Sequence, residues 1–177
     1  MSKTKEIVIL SLLLAIAIVL HAVEALLPMS FVIPGAKLGL ANVITLFALL
    51  YFGFKNGITI LILRIIIASL LIGTFLTVGF FLSLTGGILG FLVMSYIYYF
   101  HYDKFSIVGI SVLGAAFHNL GQIIMAALLI ENWRIIFYLP YLLLISLPTG
   151  VFVAIVVLKL NKYLEFDLIN MQEIKSK

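Results

Sequence analysis

The sequence predicts an all-α integral membrane bundle of about six transmembrane helices, and three observations carry that expectation. The 177 residues are 64% hydrophobic and 10% charged, where an ordinary soluble domain is about 25% charged. Mean hydropathy is +1.30. The apolar runs recur near the ~20 residues that cross a hydrocarbon core about 30 Å thick, so the chain holds about six spans in one transmembrane domain.

Helix 1 is expected from about Glu6 to Leu27. Lys3 and Lys5 precede it as in a signal peptide, but the run is too long for a signal core and lacks a small-residue cleavage site before Pro28, so a retained helix is expected. Pro28, Pro34 and Gly35 end it. Helix 2 follows over about 37–54, and Lys55, Asn56 and Gly57 make a polar turn into helix 3, about 57–73. The break over Thr74–Gly79 is weak, so helix 4 begins at about residue 80 and ends near Phe100. His101 to Lys104 form a loop before helix 5, about 105–130. Glu131 to Arg134 form the next loop, and helix 6 covers about 136–160, bent by Pro140 and Pro148. Residues 161–177 read as a cytoplasmic tail.

With the amino terminus inside, eight of the eleven basic residues (Lys3, Lys5, Lys55, Lys104, Lys159, Lys162, Lys175, Lys177) are cytoplasmic. Lys37 and Arg134 fall outside and Arg64 is buried. That bias places both termini in the cytoplasm under the positive-inside rule, and it accounts for the net charge of +4 without a nucleic-acid partner. Tyr98, Tyr99, Tyr102 and Trp133 suit an interfacial aromatic belt.

Arg64 lies mid-way along helix 3, about 13 Å from either interface, where a cation costs roughly 2.5 to 3.5 kcal/mol even on a lenient scale. His21 and Glu24 share a face of helix 1, as do His118 and Gln122 on helix 5, with Asn119 alongside. Counting from the outer ends at ~1.5 Å per residue, Glu24 and Asn42 are about 6 Å deep, and His21, Arg64 and Gln122 about 10 to 14 Å. These depths describe a polar cavity in the outer half of the bundle, with Lys37 and Asn42 at its mouth and Arg64 on its floor. The two cations point to an anionic ligand group. A structural pair of Arg64 with Glu24, and structural hydrogen bonding by His118 and Asn119, stay open beside the ligand reading. Ser69, Ser83, Thr85 and Ser95 read as packing residues. Gly86, Gly87 and Gly90 mark either internal helix packing or a docking face.

Several chemistries lack their residues. The chain has no cysteine, hence no disulfide, thiolate-held zinc or iron–sulfur ligand. No phosphate-binding G-x-x-x-x-G-K-[ST] loop, HExxH motif or carboxylate cluster occurs, so neither a nucleotide site, a metal site nor any other cofactor is expected. The two aspartates, Asp103 and Asp167, are far apart and outside the spans, and no catalytic motif is found.

The segment Pro34-Gly35-Ala36-Lys37-Leu38-Gly39-Leu40-Ala41-Asn42, placed after one helix and before Arg64, resembles the signature of the Gx transporter family. Its members also carry the label heptaprenyl diphosphate synthase component I, and the likeness runs from helix 1 to helix 6. That family in turn resembles the substrate-binding (S) components of energy-coupling factor transporters. The resemblance implies a six-helix receptor in the plasma membrane that binds a small micronutrient on its outer side. It also implies a transmembrane coupling subunit and two ATPase subunits as partners. S components meet the coupling subunit through Ala-xxx-Ala on helix 1, and the matching positions here are Ser11 and Ala15, a serine in place of the first alanine. The synthase label implies at most a membrane accessory to polyprenyl diphosphate synthesis, because the aspartate-rich magnesium sites of a prenyl-chain synthase are missing.

Overall fold

The structure is a computed structural model that describes residues 2–26 and 39–164. The first helix, α1, spans Lys3–Leu26; α2 spans Leu40–Ile72, α3 Val78–His101 and α4 Ile107–Ile130. A 3-10 turn over Trp133–Tyr138 then leads into α5, Leu139–Leu164. Pro28, Pro34 and the start expected for helix 2 at Lys37 fall outside the described residues.

Among the described residues five stretches are long and apolar enough to cross a membrane, one fewer than the approximate count expected, and the difference lies in α2. Gly53 breaks its helical geometry with φ 83° and ψ 179°, a conformation open essentially to glycine alone. Arg64 Nη2 donates to Asn42 Oδ1 at 3.2 Å across 22 residues, which a straight helix would hold about 33 Å apart. The two arms of α2 therefore run antiparallel, and the described residues form six helical rods. The reversal occurs at Gly53 and not at the expected Lys55–Gly57 turn, whose residues are helical. Gly57 serves packing instead: a Cβ there would sit 2.8 Å from the Phe91 ring.

The reversal severs the bond that a continuous helix would make from the N–H of Phe54 to the carbonyl of Leu50. Both freed groups are taken up by α3. The N–H of Phe54 donates to the Tyr99 hydroxyl at 3.0 Å, and the Tyr98 hydroxyl donates to the Leu50 carbonyl at 3.3 Å. Tyr98 is 1% exposed, so it is a buried clasp and not the interfacial anchor expected. Trp133 is exposed, as a belt residue would be.

The first arm of α2 is buried on nearly every side, with Leu46, Phe47, Ala48, Leu49 and Leu50 fully enclosed. A rod apolar all round is suited to the centre of a bundle. Around it, α2 packs against α3 and α5, α3 against α4, and α4 against α5, while α1 lies on α2 and is the least buried span. The α3–α4 seam depends on bare backbone: a Cβ on Gly121 would stand 2.9 Å from Gly86 Cα. The helix 4 glycines are thereby internal packing residues, consistent with small residues drawing helices together where lipid is the solvent.

The bundle has two distinct ends. Asn56 Nδ2 donates to Glu6 Oε1 at 3.0 Å, so the start of α1 lies beside the α2 reversal. The end of α3, the start of α4 and the end of α5 share that end. It therefore gathers Lys3, Lys5, Lys55, Lys104, Lys159 and Lys162. Glu24, Gly39, the 73–77 turn and the 131–138 segment lie at the other.

Candidate functional site

A cavity lies among all five helices and reaches from Ser111, one turn into α4, to Glu24 and Gly39 at the end remote from the lysines. It is lined by His21 and Glu24 of α1, Asn42, Thr45 and Arg64 of the two α2 arms, Phe91 and Met94 of α3, His118 and Asn119 of α4, and Thr149 and Val153 of α5, among others. It offers the centre of a water molecule about 70 Å³, several times the ~15 Å³ that one buried water needs.

Arg64 dominates its electrostatics. The side chain is 3% exposed and lies eight residues, about 12 Å, from the Ile72 end of α2. A guanidinium has five N–H donors. Nη2 uses one on Asn42, and Nε has no partner among the described residues. Burying such a cation costs several kcal/mol unless partners compensate. Glu24 lines the same cavity. Its direct hydrogen bond is elsewhere: Oε1 accepts from the N–H of Gly39, an N–H at the start of α2 that has no partner within the helix. Gly39 adopts the left-handed conformation, φ 74°, which places its N–H toward α1 at no side-chain cost. The Gly39 carbonyl then accepts from the N–H of Asn42 at 2.9 Å. One helical turn therefore anchors the carboxylate through Gly39 and the guanidinium through Asn42.

On α4, the His118 ring lies against α3 where glycines leave room: a Cβ on Gly86 would approach its Cδ2 to 3.2 Å, and one on Gly90 its Cβ to 3.1 Å. His21 and His118 each already engage a neighbour. Asn119 Nδ2 donates to the Leu142 carbonyl at 2.8 Å, tying α4 to α5 while the residue lines the cavity. Gln122 is buried with Oε1 unpartnered, and it packs beneath Gly86, outside the cavity wall.

His21, Glu24, Asn42, Arg64, His118 and Asn119 are thus brought to one space, Gln122 lies beside it, and Lys37 falls outside the described residues. Ser11 and Ala15 lie far from the cavity, on an exposed face of α1 with Val8, Leu12 and Val19. Sequence reasoning missed Thr45, Ser111 and Thr149, and it read Ser83 as packing although it lines the cavity. Ser69, Thr85 and Ser95 do bond to carbonyls of their own helices. Among the described residues no three His, Cys, Asp or Glu side chains could hold a metal ion.

Fold and site define a membrane-type helical bundle with a polar, charge-bearing cavity enclosed by its spans. Within that class, residues 13–160 match the family described as heptaprenyl diphosphate synthase component I, and the chain belongs to it. Neither the curated proteins nor the solved structures contain a match.

Proposed function

We propose that the chain is the substrate-binding component of an energy-coupling factor type uptake transporter in the plasma membrane. In this reading both termini are cytoplasmic, and the cavity captures a small micronutrient bearing an anionic group from the outer side. The observation that carries it is Arg64: a guanidinium 3% exposed, with Nε unpartnered among the described residues, on a side chain that lines a cavity shared by all five helices. A cation held in that way is prepared for a carboxylate or phosphate. The lysine-rich end, taken as cytoplasmic under the positive-inside rule, turns the cavity's end outward. The chain contributes no nucleotide loop, so energy comes from partners: a transmembrane coupling subunit and two ATPases, docked on the exposed α1 face at Ser11 and Ala15.

Affinity purification of the tagged chain tests the assembly, with co-purifying coupling subunit and ATPases expected and a chain that stays solitary counting against it. Native mass spectrometry tests the receptor role, the expected result being a retained small molecule. Arg64→Ala is expected to weaken its binding by about 1 to 3 kcal/mol, the size of a charge-assisted hydrogen bond. Intact binding by a destabilised Arg64→Ala protein would instead make Arg64 a structural partner of Glu24.

The family's description supports a second reading, a membrane accessory to heptaprenyl diphosphate synthesis. Here the chain performs no catalysis, and its removal from a reconstituted synthase is expected to shorten or abolish the polyprenyl product. Unchanged product would exclude it.

A further inference from the structure

We propose that the cavity takes a small zwitterion, whose anionic group meets Arg64 and whose ammonium group meets Glu24. This deepens the reading of the cavity as a ligand site and rests on it.

Charge balance is the first argument. Among the described residues, the formally charged side chains on the cavity wall are Arg64 and Glu24, one of each sign. The remaining titratable groups facing them are His21 from α1 and His118 from α4. A bare anion would leave a net negative charge enclosed with Glu24, where the low dielectric magnifies repulsion. A zwitterion leaves the enclosure neutral.

Unused hydrogen-bonding capacity is the second. Arg64 lines the cavity, and among the described residues its guanidinium spends a donor on Asn42 while its buried Nε has no partner, which leaves donors of its five uncommitted. Among the described residues Glu24 accepts from the N–H of Gly39, and an ionised carboxylate has about four acceptor sites. The same carboxylate therefore has capacity for an ammonium donor.

A shared anchor is the third. The carboxylate bonds to Gly39 and the guanidinium to Asn42, and a 2.9 Å backbone bond joins those two residues, so both charges are tethered to the start of α2. Phe91, Met94 and Val153 supply apolar wall for the ligand's body.

The test is thermal unfolding of the purified chain in lipid nanodiscs, followed by the fluorescence of its single tryptophan, Trp133. The probes are the proteinogenic α-amino acids, β-alanine and 4-aminobutanoate, each beside its deaminated carboxylate and its decarboxylated amine. At least one zwitterion is expected to bind about tenfold or more tightly than both single-charge counterparts, as loss of a charge-assisted bond implies. Glu24→Gln keeps an acceptor for the Gly39 N–H while removing the charge, and is expected to erase the preference while holding the carboxylate at least as well. The proposal is overturned if a carboxylate matches its amino counterpart in the unaltered protein, if no zwitterion in the panel binds, or if the preference survives Glu24→Gln. The unaltered protein decides the first two even if the variant fails to fold. A carboxylate that wins removes the zwitterion and leaves an anion receptor standing. A chain that never assembles with coupling subunit and ATPases removes the transporter reading, whatever the panel shows.

Discussion

Asn42 and Arg64 set the residue-scale energetics of the cavity. Asn42 Oδ1 accepts from Arg64 Nη2, and Nε of the same guanidinium already lacks a partner among the described residues. Asn42→Ala would leave a second buried donor unsatisfied, and the expected loss is about 1 to 3 kcal/mol, read as a lower unfolding temperature in detergent. Asn42→Asp is expected to do the opposite to the empty bundle, raising that temperature by pairing the guanidinium with a carboxylate while suppressing anion capture. If Asn42→Asp neither stabilises nor impairs capture, Arg64 does not face the ligand. Arg64 was legible in the sequence because one cation in an apolar run has few interpretations. Thr45 and Thr149 were not: their hydroxyls bond to the carbonyls of Ala41 and Ile145 one turn back. Such bonds are ordinary for hydroxyls within helices and carry no mark of a cavity.

At the scale of elements, the α2 hairpin shows how the sequence misdirects. Six rods were legible because run length follows bilayer thickness. The turn was placed at Lys55–Gly57 because a charge followed by Asn-Gly is a strong break signal. Those residues instead open the second arm, with Asn56 reaching the Phe52 carbonyl and Glu6. The reversal rests on Gly53, whose signal is only the absence of a side chain, and on two tyrosines 45 and 48 residues away in sequence from the groups they bind. No local pattern couples those sites. Gly53→Ala is expected to destabilise the bundle by about 1 to 3 kcal/mol or more, since alanine is strained at φ 83°. Tyr98→Phe, which strips the Leu50 carbonyl of its donor, is expected to cost about 1 kcal/mol. Both are measured by thermal unfolding, and a Gly53→Ala protein as stable as the parent would show that α2 reverses by another route.

For the whole molecule, function depends on which end faces out. Six of the lysines gather at the end holding the α2 reversal and the start of α1, while Arg134 lies at the other end, where Glu24 and Gly39 line the cavity. Because Lys and Arg are retained on the cytoplasmic side during insertion, this segregation predicts a cavity turned outward. The native chain has no cysteine, so single cysteines report topology without background. Arg134→Cys and Lys104→Cys replace exposed side chains at opposite ends. A membrane-impermeant maleimide is expected to label Arg134→Cys in intact cells and Lys104→Cys only after permeabilisation. The reverse pattern would turn the cavity toward the cytoplasm. An uptake receptor could not then meet its ligand from outside, and Arg64 would have to serve a molecule made within the cell, as an accessory to polyprenyl synthesis requires.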